Sequence, residues 1–318
     1  MSPAAAVSAV PSGGDPAVAG RGGPAWGGAG RQTAEGARPR RRPRIPWGVR
    51  FAAAFIACLI VVAVAAPLVA PQNPERGALR ARLTPPTLRA VDGRAHLLGT
   101  DHLGRDVLSR VMFGARVSLS VGFAAVAVGG AVGGTLGLLA GYHGGWLDEV
   151  IMTVADAQLA FPFILLAIGI IAVLGPSFRN LIIVVGLSGW VTYARVLRAQ
   201  VRTVRRREFV DAIVALGGSA PRIMLRHILP NVASTFMVIA TLELARAIVL
   251  EATLSFLGLG VQPPTPSWGV MVQEGLEYLD SAWWIAVCPG LVLMLTSIVV
   301  SRTGDWLRDV LDPTLRGA

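Results

Sequence analysis

No lysine occurs in the 318 residues; all 29 basic side chains are arginine. This absence excludes a Schiff-base lysine and a phosphate loop of the G-x-x-x-x-G-K-[ST] kind, which needs its lysine against the phosphates. If ATP drives this protein, another chain binds it. Charge of either sign is scarce: 15% of residues are charged and 53% hydrophobic, where a soluble domain carries about 25% charged residues. Cysteine is nearly missing, and Cys58 and Cys288 both lie in apolar runs, so neither a disulfide framework nor a four-ligand metal site is expected. Four histidines without paired spacing add nothing to a metal reading. Asp148, Glu149 and Asp156 form the densest acidic cluster, but no His or Cys stands near them. They are expected to cap a helix or face solvent rather than to do acid–base chemistry. The chain therefore presents no catalytic residue, no metal site and no cofactor of its own.

What is present is apolar sequence in long runs. Phe51 to Ala70 is free of charge, as are Val117 to Tyr142 and Ala157 to Leu174. Leu181 to Ala194 is shorter and is expected to continue as a helix through Arg195 and Arg198. Val232 to Leu259 is interrupted only by Glu243, Arg246 and Glu251, and Ala282 to Ser301 closes the series. About twenty residues at 1.5 Å each cross a hydrocarbon core of ~30 Å, so the pattern predicts an all-α integral membrane protein with six transmembrane helices. Residues 1–45, rich in Arg, Gly, Ala and Pro, cannot bury enough surface to order themselves and are expected to form a disordered cytoplasmic tail. Residues 46–116 read as the first membrane helix and an extracytoplasmic loop with an interfacial helix, and 117–318 as a core of five membrane helices.

Sorted by position, the net charge of +10 becomes a topology signal. Residues 1–50 carry eight Arg, the stretch from Arg195 to Arg226 another eight, and the segment after Ser301 three. Arginines near the membrane favour the cytoplasmic side, so both termini are expected inside a plasma (inner) membrane that the chain crosses several times. Residues 71–116, with eight Arg and four carboxylates, then lie outside.

The most informative stretch, 205–231, runs Arg205-Arg206-Arg207-Glu208-Phe209-Val210-Asp211-Ala212-Ile213-Val214-Ala215-Leu216-Gly217, then His227-Ile228-Leu229-Pro230-Asn231. Val210, Ile213, Val214 and Gly217 recur at helical spacing, Gly217-Gly218 ends that helix, Pro221 suits the first turn of a second, and Pro230 is expected to end it. A basic hairpin on anionic lipid would have this composition too. The spacing, however, resembles the EAA loop of permease subunits in binding-protein-dependent ABC importers: Glu-Ala-Ala, three residues, Gly, nine residues, Ile, one residue, Leu-Pro. Asp211, Ala212 and Ile213 stand at the first three positions, Gly217 at the glycine, His227 at the isoleucine and Leu229-Pro230 at the last two. In that family the loop sits in a cleft of an ATPase subunit, so the resemblance implies coupling to the ATPase through Glu208, Asp211, Ala212, Gly217, Leu229 and Pro230.

Residues 97–120, Glu251 to Gly260, Pro263 to Gly269 and Asp305 to Pro313 resemble the C-type subunits of the dipeptide, oligopeptide and nickel permeases; the likeness covers roughly residues 45–315. The resemblance implies the type I importer permease fold, with both termini inside, and alternating access. It also implies a second (B-type) permease subunit, two ATPase subunits or a fused ATPase that hold ATP and Mg, and an extracytoplasmic solute-binding protein. Peptides are the expected cargo; nickel, haem or glutathione would fit the same architecture.

Three further features carry expectations. Gly129, Gly133, Gly137 and Gly141 form a ridge in the second span that lets a helix approach closely, inside the subunit or from the sister permease. Glu243, Arg246 and Glu251 are expensive in a membrane and either form a structural ion pair, with Glu243 and Arg246 on one face, or line a translocation path. Val107, Leu108, Val111, Met112 and Ala115 share one face of a helix suited to lying along the outer interface, and Arg80, Arg82, Arg89 and Arg94 of the same outer loop are candidates to seat an acidic face of the binding protein. Two rival classes remain open: an ion-gradient-driven secondary transporter, which leaves the EAA-like spacing unexplained, and a scaffold whose basic tail binds nucleic acid. Membrane lipid, not nucleic acid, is the expected neighbour.

Overall fold

The computed structural model describes residues 47–89 and 92–311; the expectation for 1–45 lies outside them. The described residues contain no strand, only isolated bridges at Thr87–His96 and Thr100–Asp106. The long helices follow the apolar runs. Helix α1 (Trp47–Val69) buries little more than Ala52, Ala63 and Ala66 against α2 (Val107–His143) and α11 (Trp284–Leu311), leaving Val61, Val64 and Leu68 exposed. An apolar helix that hides only its alanines within the chain is built for a lipid or protein surround.

Two expected boundaries move. Residues 107–116 do not form a separate interfacial helix but the first turns of α2, whose 37 residues run without a break. Nothing stops the helix there: Asp106 caps it by accepting from the Ser109 N–H, and Gly114 lies where a Cβ would stand 2.9 Å from Trp268. The third run, expected as one span from Ala157 to Leu174, is broken. Helix α3 (Gly145–Ala160) and α4 (Phe163–Leu174) meet at 92°, because Pro162 lacks the N–H and its ring displaces the preceding residue from helical geometry. Hydropathy alone does not register this break. The described residues thus contain five helices long and apolar enough to cross a membrane, or six if the bent pair counts as one span.

Helix α5 (Phe178–Arg205) extends through the arginines, as expected. The short α6 (Glu208–Ala215) follows, then α7 (Ala220–Arg222), a π-helical turn over Ile223–Ile228, and α8 (Leu229–Phe256). Pro230 does not end the second helix; it sits in the first turn of α8. The widened turn explains why: the Leu229 N–H reaches back five residues to the Met224 carbonyl, which loosens the spacing where a proline ring would otherwise press on residue 226. Helices α9 (Trp268–Gly275) and α10 (Leu279–Ala282) lead into α11.

The centre of the fold is the crossing of α2 and α5. Along it the glycine ridge is packed inside the chain, not held out to a sister subunit. A Cβ on Gly133 would lie 2.1 Å from the Trp190 carbonyl oxygen, and one on Gly129 or Gly137 would lie 2.6 Å from the Gly186 or Ala194 oxygen. On the neighbouring face Gly130 and Gly134 meet Phe236 of α8. Val121, Ala125, Leu181, Val184 and Leu254 continue this core between α2, α5 and α8.

Candidate functional site

The segment 205–231 is anchored by one face and open on the other. Val210 of α6 is buried, and Ile213 packs with it against Leu197, Val201 and Val204 of α5 and Ile223, Met224 and Ile228 of the π turn. Glu208 and Asp211 fall in the first turn of α6, where the helix dipole favours carboxylates. The chain then reverses: the Gly217 and Gly218 N–H groups donate to the Val214 and Ile213 carbonyls, and Gly217 adopts φ +80°, a left-handed conformation natural to glycine. All six residues singled out here, Glu208, Asp211, Ala212, Gly217, Leu229 and Pro230, are exposed. So are Val214, Leu225 and Leu216, the last at 88%. The expected apolar face is therefore divided: Val210 and Ile213 face the subunit, while Val214 and Gly217 stand in the open with Leu216. Apolar side chains gathered on an exposed reversal next to two carboxylates make a surface suited to a protein partner.

A second region opens between α4, α8 and α11. A groove of about 660 Å³ is lined by Arg246 together with the hydroxyls of Thr253, Ser297 and Ser301 and apolar walls from Phe163, Leu242 and Val249. The expected pair forms: Arg246 Nη1 lies 3.2 Å from Glu243 Oε2. Their surroundings differ, because Arg246 is half-exposed toward the groove while Glu243 turns to α5, beside Gly189 and in a small recess with Ser188 and Tyr193. Glu251 belongs to neither. It is fully buried, away from the groove, and accepts from the hydroxyls of Ser118 (2.6 Å) and Ser255 (2.7 Å), which fastens α8 to α2. The groove hydroxyls were not anticipated from sequence, since serine and threonine in an apolar run carry no distinguishing pattern.

The outer loop separates its arginines into two sets. Arg80, Arg82, Arg89 and Arg94 are exposed and have no ion pair among the described residues. Arg105 and Arg110 point inward. Asp101, itself buried, receives Arg105 Nε at 2.6 Å and Arg110 Nη1 at 2.5 Å, and Arg110 Nη1 also reaches Glu274 of α9 at 2.6 Å. The Leu103 and Arg105 N–H groups complete the shell, both at 2.9 Å from Asp101 Oδ1. Burial pushes the Asp101 carboxyl up, but the charges of Arg110 and Arg105 and their hydrogen bonds outweigh it and hold the group below the usual carboxylate range. Nearby, buried His96 sits between Asp106 (3.0 Å) and Asp92 (3.2 Å).

One of the α3 acids also differs from expectation. Asp148 is only 5% exposed and takes both Arg198 and Arg202 of α5, while Asp156 pairs with Arg195. Asp148 is a buried cross-helix tie rather than a solvated group, whereas Glu149 and Asp156 keep the exposed face expected of them, Asp156 with Arg195 as its partner.

Apolar helices of membrane length, a partner-ready reversal outside them and a polar-edged groove among them define a membrane permease subunit. Residues 133–317 match the binding-protein-dependent transport system inner membrane component, and the chain belongs to that family. Transport of this kind depends on a solute-binding protein and an ATPase as partners. The chain is 41% identical over 264 residues to the di/tripeptide transport system permease protein DppC of Pseudomonas aeruginosa, covering 83% of this chain and 87% of that one. It is likewise 41% identical over 262 residues to the dipeptide transport system permease protein DppC of Alkalihalophilus pseudofirmus, with 82% and 84% covered. The glutathione transport system permease protein GsiD of Escherichia coli O6:K15:H31 is 41% identical over 301 residues, with 90% and 98% covered.

Breaking the Asp101 cluster tests its anchoring role. Asp101→Asn leaves two buried guanidiniums short of an anion and is expected to cost ~3–5 kcal/mol locally, seen as faster proteolysis within residues 71–106. Because the folded carboxyl titrates below its unfolded value, the wild-type contribution is full above about pH 4 and fades as pH falls through the folded value. Equal proteolysis of variant and wild type at pH 7 would refute the anchor.

Proposed function

We infer that this chain is the C-type permease subunit of an importer for short peptides, paired with a B-type permease, two ATPase subunits or a fused ATPase, and an extracytoplasmic binding protein. The chain crosses the membrane six times with the bent α3–α4 pair as its third span and both termini inside; 46–116 forms the first span and outer loop, 117–318 the remaining core, and 1–45 a cytoplasmic tail. The observation that carries this reading is the exposed reversal at Leu216-Gly217, held on the subunit by Val210 and Ile213 and carrying Glu208, Asp211 and Ala212 on its free side. It docks on the ATPase, which binds ATP and Mg; ATP-driven closure shifts the permease only through contacts that differ between its inward and outward states.

Names of the relatives support peptides as cargo. Glutathione is itself a tripeptide, so GsiD favours a second reading within the same class rather than nickel or haem. Glu243 and Arg246 line or gate the path: Arg246 offers a cation to a peptide carboxylate in a groove that otherwise carries only the hydroxyl residues Thr253, Ser297 and Ser301 among apolar walls. Arg80, Arg82, Arg89 and Arg94, without an ion pair among the described residues, receive the acidic face of the binding protein.

Two experiments in the reconstituted importer test this. Gly217→Pro fixes φ near −65° where the chain needs +80°; the expected result is a subunit that still assembles but loses substrate-stimulated ATP hydrolysis and uptake by at least about tenfold, each tenfold corresponding to ~1.4 kcal/mol of coupling. Normal uptake would remove the segment from coupling. Replacing Glu243 and Arg246 together by Gln is expected to lower peptide uptake with basal ATP hydrolysis retained. Unchanged uptake and unchanged substrate stimulation would take both residues off the path.

A further inference from the structure

We propose that the pocket between α2, α5 and α6 is a binding site for the phosphate of an anionic phospholipid headgroup. The pocket, about 540 Å³, is lined by Gly141 and Gly144 at the end of α2, by Arg202, Arg205 and Arg206 at the end of α5, and by Asp211 of α6. Two of its three cations, Arg205 and Arg206, are not spent on internal carboxylates among the described residues. Arg205 is held by the ring of Tyr142, 4.8 Å from guanidinium carbon to ring centre, which positions the group while leaving its N–H donors free. Neither Arg205 nor Arg206 has an ion pair among the described residues, and both are exposed. Arg202 shares Asp148 with Arg198. Four guanidiniums therefore face two carboxylates, Asp148 and Asp211, and the corner is left with an excess of two positive charges.

The pocket is open on its Gly144 side. A Cβ placed on Gly144 would meet nothing within 4 Å, and Gly144 takes φ +65° to turn α2 into α3. Planar guanidiniums grip phosphate oxygens through paired N–H groups. A lipid is the fitting bearer of that phosphate. The pocket lies where the apolar stretch of α5 gives way to Arg195, Arg198 and Arg202, the level of a headgroup when α5 spans a bilayer. Two residues beyond Gly144, α3 begins an exposed apolar strip, Trp146, Val150 and Val154, spaced by one helical turn and suited to an acyl chain, with the indole at interfacial depth. Basic pockets of this kind between membrane helices recognise anionic headgroups. The proposal rests on the topology inferred above, with both termini and hence α6 on the cytoplasmic side, and a lipid there would brace the base of the coupling segment.

The test uses the full chain, purified in detergent and placed in nanodiscs of phosphatidylcholine alone or with phosphatidylglycerol. Lipid retained per protein is read by native mass spectrometry after re-extraction. Wild type is expected to retain phosphatidylglycerol over phosphatidylcholine, and Arg205→Gln/Arg206→Gln to lose at least about tenfold of that retention. Asp211→Asn, which removes the one carboxylate in the lining, is expected to raise retention roughly fivefold, a gain that misfolding cannot produce. Equal retention of the two lipids by wild type, or no change in either variant, overturns the site. So does binding of soluble glycerol 3-phosphate without retention of phosphatidylglycerol, which would assign the pocket to a free phosphate compound. No ATPase is present in the assay, so its failure leaves the coupling role of Gly217 untouched, and failure of that role leaves lipid retention to be read on its own.

Discussion

Backbone touches backbone where α2 crosses α5, and the remaining structure is arranged around that contact. The distance left for a Cβ at Gly133, 2.1 Å to a carbonyl oxygen, is one that no side chain can occupy. In a membrane, helix association draws on close packing rather than on release of water, so small residues in register are the means of bringing two helices together. The seam runs along the middle of α5 from Gly186 to Arg198. Beyond its far end, the same helix carries Val201 and Val204, against which α6 and the π turn are packed. A displacement imposed on α6 is thereby passed to a helix whose backbone lies directly against α2. The coupling segment is attached to the most closely packed part of the fold.

Charge is organised by the same economy. With arginine as the only strong cation, each fixed positive group has a planar fork of donors and no accessible neutral form. Arg105 and Arg110 tie the outer loop to α9 through Asp101 and Glu274; Arg198 and Arg202 tie α5 to α3 through Asp148. These pairs fix the two ends of the helical core. Among the arginines outside them, Arg80, Arg82, Arg89 and Arg94 on one side and Arg205 and Arg206 on the other have no ion pair among the described residues and stand at surfaces proposed to meet something else.

Much of this architecture was legible from one-dimensional patterns, because apolar length, glycine period and helical spacing are local properties. The extension of α5 through its arginines, the glycine ridge and the reversal at Gly217 could each be read within a few turns of chain. Features set by distant partners could not. Glu274 lies 164 residues from Arg110, and Glu251 is reached by Ser118 from another helix, so neither the outer ion cluster nor the burial of Glu251 leaves a mark in its own neighbourhood. Prolines misled in both directions. Pro162 breaks an apolar run that reads as one span, while Pro230 reads as a stop yet is absorbed into α8 because the π turn before it gives the ring room.

The measurement that bears most directly on the seam is the melting temperature of the purified permease carrying Gly133→Val, set beside Gly169→Val, whose added side chain would meet no neighbour within 4 Å of its Cβ. The account predicts that the Gly133 variant loses ~1–3 kcal/mol or more through overpacking against a carbonyl that cannot move aside, and that substrate-stimulated ATP hydrolysis in the assembled importer falls with it, while the Gly169 variant melts like wild type. Equal melting of the two variants, with stimulation intact, would contradict the claim that the α2–α5 contact holds the fold and carries the motion of the coupling segment.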